Sequence, residues 1–259
     1  VSAKGTIGYS EGMTQDWIDH WHLVNRRIRQ AEIDADRPKH AVRLLAVSKT
    51  FPAQAVQELA LTTSQRDFGE NYVQEGVDKI LTLSALNIQP QLVWHCIGPI
   101  QSNKTRMVAE HFDWVHSIDR LRIAQRLNEQ RPEHLPPLQV CLQVNIDGGE
   151  NKSGLAPEQA LDLAREITQL PRLQLRGLMT IPEPVEGFAA QCALHRQAQA
   201  MFATLGQALE LAHWDTLSMG MSTDLEAAVH CGSTLVRIGT AIFGQRPRVG
   251  DAFPVQFQT

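Results

Sequence analysis

Apolar residues along this chain arrive in two alternating rhythms. Short unbroken runs of branched side chains read as strands buried on both faces, and between them apolar side chains recur every third or fourth position, as on one face of a helix. The first helical stretch carries Trp17, Trp21, Val24, Ile28 and Ala31, which predicts an amphipathic helix from Thr14 to about Ala35 with Thr14 as N-cap. The first apolar run, Leu44-Leu45-Ala46-Val47-Ser48-Lys49-Thr50, reads as a strand that Pro52 brings to a stop. Pro52 then opens a helix through Ala55, Val56, Leu59 and Ala60, and a short strand ends at Asp67-Phe68-Gly69-Glu70-Asn71.

The same unit keeps returning. Strands are predicted over 92–97, 114–118, 138–144, 175–181, 216–219 and 235–238, each but the last followed by a helical pattern. Eight strands alternating with helices in one unbroken series point to an α/β fold, a single (β/α)8 barrel of the TIM type with an extra N-terminal helix. A doubly wound open sheet is the competing arrangement, because a strand count does not prove closure. No linker or shift in composition divides the chain, so residues 13–259 read as one domain. Residues 1–12 are polar and contain glycine, and read as a leader or a disordered start outside the fold.

Composition narrows the partners. Of 259 residues, 43% are hydrophobic and 20% charged, an ordinary globular balance. A net charge of −4 and a pI near 6.2 give no electrostatic reason to expect nucleic acid or an anionic membrane. No apolar run approaches the ~18 residues of a membrane span. Cys96, Cys141, Cys192 and Cys231 stand far apart with no CxxC pair, as in a cytoplasmic protein with reduced thiols. No carboxylate spacing suggests a metal. No long apolar stripe is left after the barrel helices are assigned, which favours a monomer.

The candidate chemistry lies at strand ends. An ammonium at the end of a buried strand is costly to desolvate, which favours the reactive neutral amine a Schiff-base lysine needs; snorkelling into solvent is the plainer reading of Lys49. In barrels of this type phosphate is commonly held after strands seven and eight. The loop Ser218-Met219-Gly220-Met221-Ser222-Thr223-Asp224-Leu225-Glu226 follows strand seven, and Thr223 with Glu226 fits a capping box that would leave backbone N–H groups facing the barrel mouth. After strand eight, Arg237-Ile238-Gly239-Thr240 adds a cation, a glycine permitting close backbone approach and a hydroxyl. A lysine facing such a cradle suggests a phosphorylated aldehyde held as an imine. On these residues alone, a lysine-dependent aldolase acting on a sugar phosphate remains open.

The motifs AVSKT, FGENYVQE, WHCIGPIQSNK, GLMTIP and LSMGMSTDLEAAVHCGSTLVRIGTAIFG resemble those of the pyridoxal phosphate homeostasis proteins, in order and at the barrel-rim positions, from about Gln15 to Arg246. The resemblance implies the fold-type III barrel of the alanine racemase N-terminal domain. It implies pyridoxal 5'-phosphate (PLP) bound as an internal aldimine to Lys49, and a role in storing, buffering or delivering the cofactor, with PLP-dependent apo-enzymes as recipients. It further implies phosphate contacts from Ser218, Ser222, Gly239 and Thr240, Arg237 beside the pyridine nitrogen, and Asn71 near the ring. Arginine keeps its proton, so the nitrogen it faces stays unprotonated and the ring is a weak electron sink.

The alternative within the resemblance is an amino-acid racemase. A two-base racemase needs a proton donor on each face of its substrate, and related racemases draw a tyrosine from a C-terminal domain that this chain is expected to lack. Its own tyrosines are Tyr9, in the leader, and Tyr72, which reads as a packing residue. His95 and His116 read as satisfied core or rim histidines, and Met179, Met219 and Met221 as barrel filling. Lys152 lies in the polar loop after strand five; it is either a solvated lysine or a second imine-forming amine that helps load or release the cofactor.

Overall fold

Along the strand Arg43–Val47 (β1), successive residues enter two different environments. Leu44 and Ala46 join the large apolar layer beneath the helices, whereas Leu45 and Val47 form a separate cluster with Ile97 and Leu235. That division is the period-two alternation of a strand in a closed sheet, with one face outward to the helices and the other inward. The computed structural model describes residues 11–86, 88, 91–149 and 153–245.

Strands β2 (Asp67–Glu70), β3 (Val93–Cys96), β4 (Trp114–Ile118), β5 (Leu138–Val144), β6 (Leu173–Thr180), β7 (Thr216–Ser218) and β8 (Leu235–Ile238) follow in chain order. Each is parallel to its neighbours, and β8 pairs with β1 to close the barrel, Leu45 lying opposite Arg237. The open-sheet alternative is thereby excluded. The outer layer consists of α1 (Glu11–Asp34), α2 (Ala53–Thr62), α3 (Val73–Ser84), α4 (Thr105–His111), α5 (Leu121–Gln130), α6 (Ala160–Thr168), α7 (Phe188–Leu209), α8 (Leu225–His230) and α9 (Thr240–Phe243).

The first helix starts at Glu11, earlier than the Thr14 cap expected from sequence. It buries Trp17, Val24, Ile28 and Ala31, and truncating Ile28, fully buried, to alanine would cost about 2–5 kcal/mol. Its end is anchored by Glu32, which is 1% exposed and accepts hydrogen bonds from the backbone N–H of His40 and Val42. Those contacts set where the chain turns into β1.

The inside of the barrel is more polar than the strand sequences suggest. Besides the Leu45 cluster it holds a second small apolar group of Trp114, Cys141 and Met179. Between strands β3, β4 and β7 lie the buried His95, His116 and Ser218. The four cysteines are buried free thiols, and burial pushes Cys96 and Cys141 up to about 12, far from a reactive thiolate. Among the described residues no helix is long and apolar enough to cross a membrane, and no three His, Cys, Asp or Glu side chains gather as metal ligands.

Candidate functional site

The backbone around Lys49 is gripped on both sides. Thr50 has a φ of 68°, a left-handed conformation that is unfavourable for a β-branched residue. It is held there by its N–H, which donates to Glu75 Oε1 at 2.6 Å. On the other side, Ser48 donates its hydroxyl to Glu70 Oε1 at 2.6 Å, and its carbonyl accepts from Lys79 Nζ at 2.7 Å. Lys79 also reaches Glu70 and Glu75, at 2.8 and 2.7 Å. Burial pushes the Glu70 carboxyl above its usual range, against the opposing pull of Lys79 and Ser48. This buried cluster fixes the exit of β1 and hence where the half-buried Lys49 side chain starts.

Lys49 opens into a cavity of about 300 Å³ at the C-terminal end of the barrel strands, shared with Asn71, Ser222, Arg237, Gly239 and Thr240. That volume suits a small cofactor. Six of the seven residues expected to bind a cofactor are therefore brought together. Ser218, the seventh, is fully buried one layer below, where it holds Arg237. Lys152 lies outside the described residues.

The loop after β7 is shaped by several distant contacts. Gly220 has φ 96°, and a Cβ there would stand 2.4 Å from Cβ of Ala228, so only glycine fits. The capping box expected from Thr223 and Glu226 does not form. Asp224 takes the N-cap position, its Oδ1 accepts the N–H of Met221 at 2.6 Å, and its Oδ2 lies 3.0 Å from His195 Nε2. Burial would raise the Asp224 carboxyl, but the hydrogen bonds from His195 and Met221 bring it below the usual range. Glu226 instead pairs with Arg27 of α1 through two hydrogen bonds, and the same guanidinium donates to the Ser222 carbonyl at 3.2 Å. Ser222 Oγ in turn accepts from the N–H of Ala241 at 3.4 Å, joining the loops after β7 and β8. The close approach at Gly239 is toward β1: a Cβ there would lie 3.1 Å from the Val47 carbonyl.

Arg237 is 5% exposed, and among the described residues no carboxylate lies within ion-pair distance of it. It donates to the carbonyl and hydroxyl of Ser218 at 2.7 and 2.8 Å and to the Thr180 carbonyl at 2.8 Å. Burial brings the guanidinium down to about 10, still charged at neutral pH. Two buried polar atoms nearby, Asn71 Oδ1 and Thr180 Oγ1, have no hydrogen-bond partner among the described residues. Of these two residues, Asn71 lines the cavity and can offer its amide to a polar guest, whereas Thr180 does not line it.

Other lining residues were not legible as such. Val47, Phe51, which stacks on Phe243 at 5.1 Å, Ile97, Ile181, Met221, Thr223 and Gly244 complete the wall. Ile97, Ile181, Met221 and Thr223 stand in motifs quoted above, but none of them was expected to line a site. Met179 and Met219 are fully buried, as expected of filling. Tyr72, expected to pack, is 54% exposed and is the N-cap residue of α3. His95 and His116 are fully buried and hydrogen-bonded.

Known proteins place this site in context. The profile of the alanine racemase N-terminal domain family matches residues 25–247. The pyridoxal phosphate homeostasis protein of Vibrio cholerae is 54% identical over 232 residues, which are 90% of this chain and 96% of the relative. The protein of that name from Pseudomonas aeruginosa is 57% identical over 223 residues, 86% of this chain and 93% of the relative. The structure of PipY from Synechococcus elongatus with PLP bound superposes with a TM-score of 0.72 at 39% identity, covering 84% of this chain and 99% of PipY. An alanine racemase from Corynebacterium glutamicum shares the fold, with a TM-score of 0.61 at 15% identity over 94% of this chain and 64% of the racemase. The chain belongs to the family of pyridoxal phosphate homeostasis proteins.

Proposed function

We propose that this protein binds PLP in the cavity at the barrel mouth and serves cytoplasmic PLP homeostasis, storing, buffering or delivering the cofactor with little turnover of its own. The observation that carries the reading is the convergence of Lys49, Arg237 and the two loops after β7 and β8 on one cavity, in a chain of this family. The residues fit the group. Lys49 supplies an amine for an aldehyde, Ser222, Gly239 and Thr240 supply a hydroxyl- and backbone-rich rim for a phosphate, and Asn71 Oδ1 is a buried polar atom with no hydrogen-bond partner among the described residues. Arg237 would face the pyridine nitrogen as a donor, its charge steadied by three oxygens. PLP, when bound, supplies an aldehyde for amines and an electron-withdrawing ring. A cation that keeps its proton beside the nitrogen weakens that withdrawal.

The composition of the wall supports the low-turnover part of this reading. Apart from Lys49 and Arg237, the lining side chains among the described residues bear only hydroxyl, amide, thioether and hydrocarbon groups. None is a base for the second face of an amino acid, which a two-base racemase requires. The exposed Tyr72 does not line the cavity. Recipient apo-enzymes and a monomeric state belong to the same proposal.

Two measurements test the function. The PLP-loaded protein, mixed with an apo-enzyme, should restore that enzyme's activity, and L-alanine incubated with it should keep its circular dichroism. Efficient conversion to the D-enantiomer would overturn the carrier reading in favour of the racemase. The phosphate rim has its own test. Thr240→Val removes one hydroxyl at nearly constant volume and should weaken PLP binding by about 1–3 kcal/mol while leaving binding of pyridoxal, which lacks the phosphate, unchanged. Equal losses for both ligands would show that Thr240 supports the loop and not the phosphate.

A further inference from the structure

A chain of hydrogen bonds runs through the barrel interior from its N-terminal end to the cavity. It begins at Asp67, the first residue of β2, whose Oδ1 lies 3.0 Å from His95 Nε2. His95 Nδ1 is 2.9 Å from His116 Nε2, and His116 Nδ1 is 2.9 Å from Ser218 Oγ. Ser218 Oγ accepts from Arg237 at 2.8 Å. Both imidazoles and the serine are fully buried, and the arrangement joins β2, β3, β4, β7 and β8.

The chemistry of the end group sets the direction of every bond. An ionised carboxylate only accepts, so His95 Nε2 carries a proton and donates to Asp67. A neutral His95 then has a bare Nδ1, which must accept from His116 Nε2–H. A neutral His116 likewise has a bare Nδ1, which must accept the hydroxyl proton of Ser218. The serine oxygen is left as an acceptor for Arg237. Both imidazoles are neutral because burial lowers them. For His95, burial and the nearby Arg43 prevail over Asp67 and Asp113; for His116, burial is joined by the charges of Arg237 and Arg43. Asp67 stays ionised: burial would raise it, but the hydrogen bond from His95 Nε2–H and the nearby charge of Arg43 bring it below the usual carboxylate range.

We propose that His95 and His116 are positioning residues in a one-way donor chain that ties Arg237, in the cavity, to the Asp67 carboxylate at the other end of the barrel. The chain lets an anion that never approaches the cavity answer a buried guanidinium through two neutral rings and a hydroxyl. With Ser218 locked as acceptor on one side and the Thr180 carbonyl on the other, the guanidinium plane is fixed and its remaining N–H groups are offered to the cavity.

Two measurements test the proposal, and only the second rests on the PLP reading. Nitrogen-15 resonances of cofactor-free protein should show His95 and His116 as neutral Nε2–H tautomers; an Nδ1–H tautomer or a protonated ring at neutral pH would overturn the chain. This arm uses the unsubstituted protein and stands whether or not any variant folds. The second arm compares His116→Gln, whose amide can both accept from Ser218 and donate to His95, with His116→Leu, which can do neither. PLP should leave the leucine variant about 5–10-fold faster than the parent, with a shifted absorption maximum of the bound cofactor, while the glutamine variant stays within about 2-fold. Equal release from all three proteins would show that the chain does not act on Arg237. Failure of all three to bind PLP would sink the PLP reading and leave the tautomer result untouched.

Discussion

Lys49→Ala should be isolated without covalently attached PLP. The parent protein loaded with PLP should be yellow, lose its colour with borohydride, and gain one reduced adduct that peptide mass spectrometry places on Lys49. The variant should show no such adduct at that position. It should nonetheless fold, because Lys49 is only half-buried and the Ser48 and Thr50 contacts that shape its backbone use neither its charge nor its length; a stability change below about 1 kcal/mol is expected. An adduct of full stoichiometry in the variant would refute Lys49 as the attachment point. Were that adduct found on Lys152, the second-amine reading of that loop would take its place.

The second large effect is expected from Lys79→Met, which removes the cation shared by Glu70, Glu75 and the Ser48 carbonyl at similar side-chain length. Glu70 is fully buried, and its Oε2 already has no partner among the described residues. Taking away the ammonium leaves an uncompensated buried carboxylate, a loss of about 3–5 kcal/mol at neutral pH. The pH dependence follows from the direction of the Glu70 shift. Its carboxyl is already raised by burial, and without Lys79 it must rise further. A group whose folded pKa is raised favours the fold while protonated and works against it once pH climbs through that value. The destabilisation of Lys79→Met should therefore be largest near pH 8 and shrink toward about pH 5 as Glu70 takes up its proton. Urea unfolding at the two pH values checks this. A loss that does not change with pH would mean that Lys79 acts through packing alone. The same variant should hold PLP less well, because Thr50 and Ser48 lose part of the grip that places Lys49.

The alternation of strands and helices is legible in the hydrophobic pattern, down to identical bounds for 114–118, 138–144 and 235–238. The sequence also singled out Lys49 and the two loops after β7 and β8. These are local facts. Burial on both faces of a strand, or on one face of a helix, leaves its mark within a few residues of each position, and glycine, proline and serine mark turns by their own backbone preferences. Departures came where a distant partner outbid a local one. Glu226 could have capped its own helix, but Arg27, 199 residues away, pairs with it instead.

How residues without a shared period meet emerges only in the folded barrel. Closure required β8 to find β1, which no strand count shows. His116 and Ser218, 102 positions apart, become neighbours because their strands face one barrel interior. Lys79 carries a charge, yet it is buried on α3 because Glu70 and Glu75 are there to receive it. Ser218 stands in the phosphate-loop motif, but the inward face of β7 carries its hydroxyl under Arg237 and away from the cavity wall. One cause underlies each case. A hydrophobic pattern records whether a side chain is buried, because that depends on its own apolar surface, whereas the partner of a buried polar group is chosen by geometry that exists only after the barrel has closed.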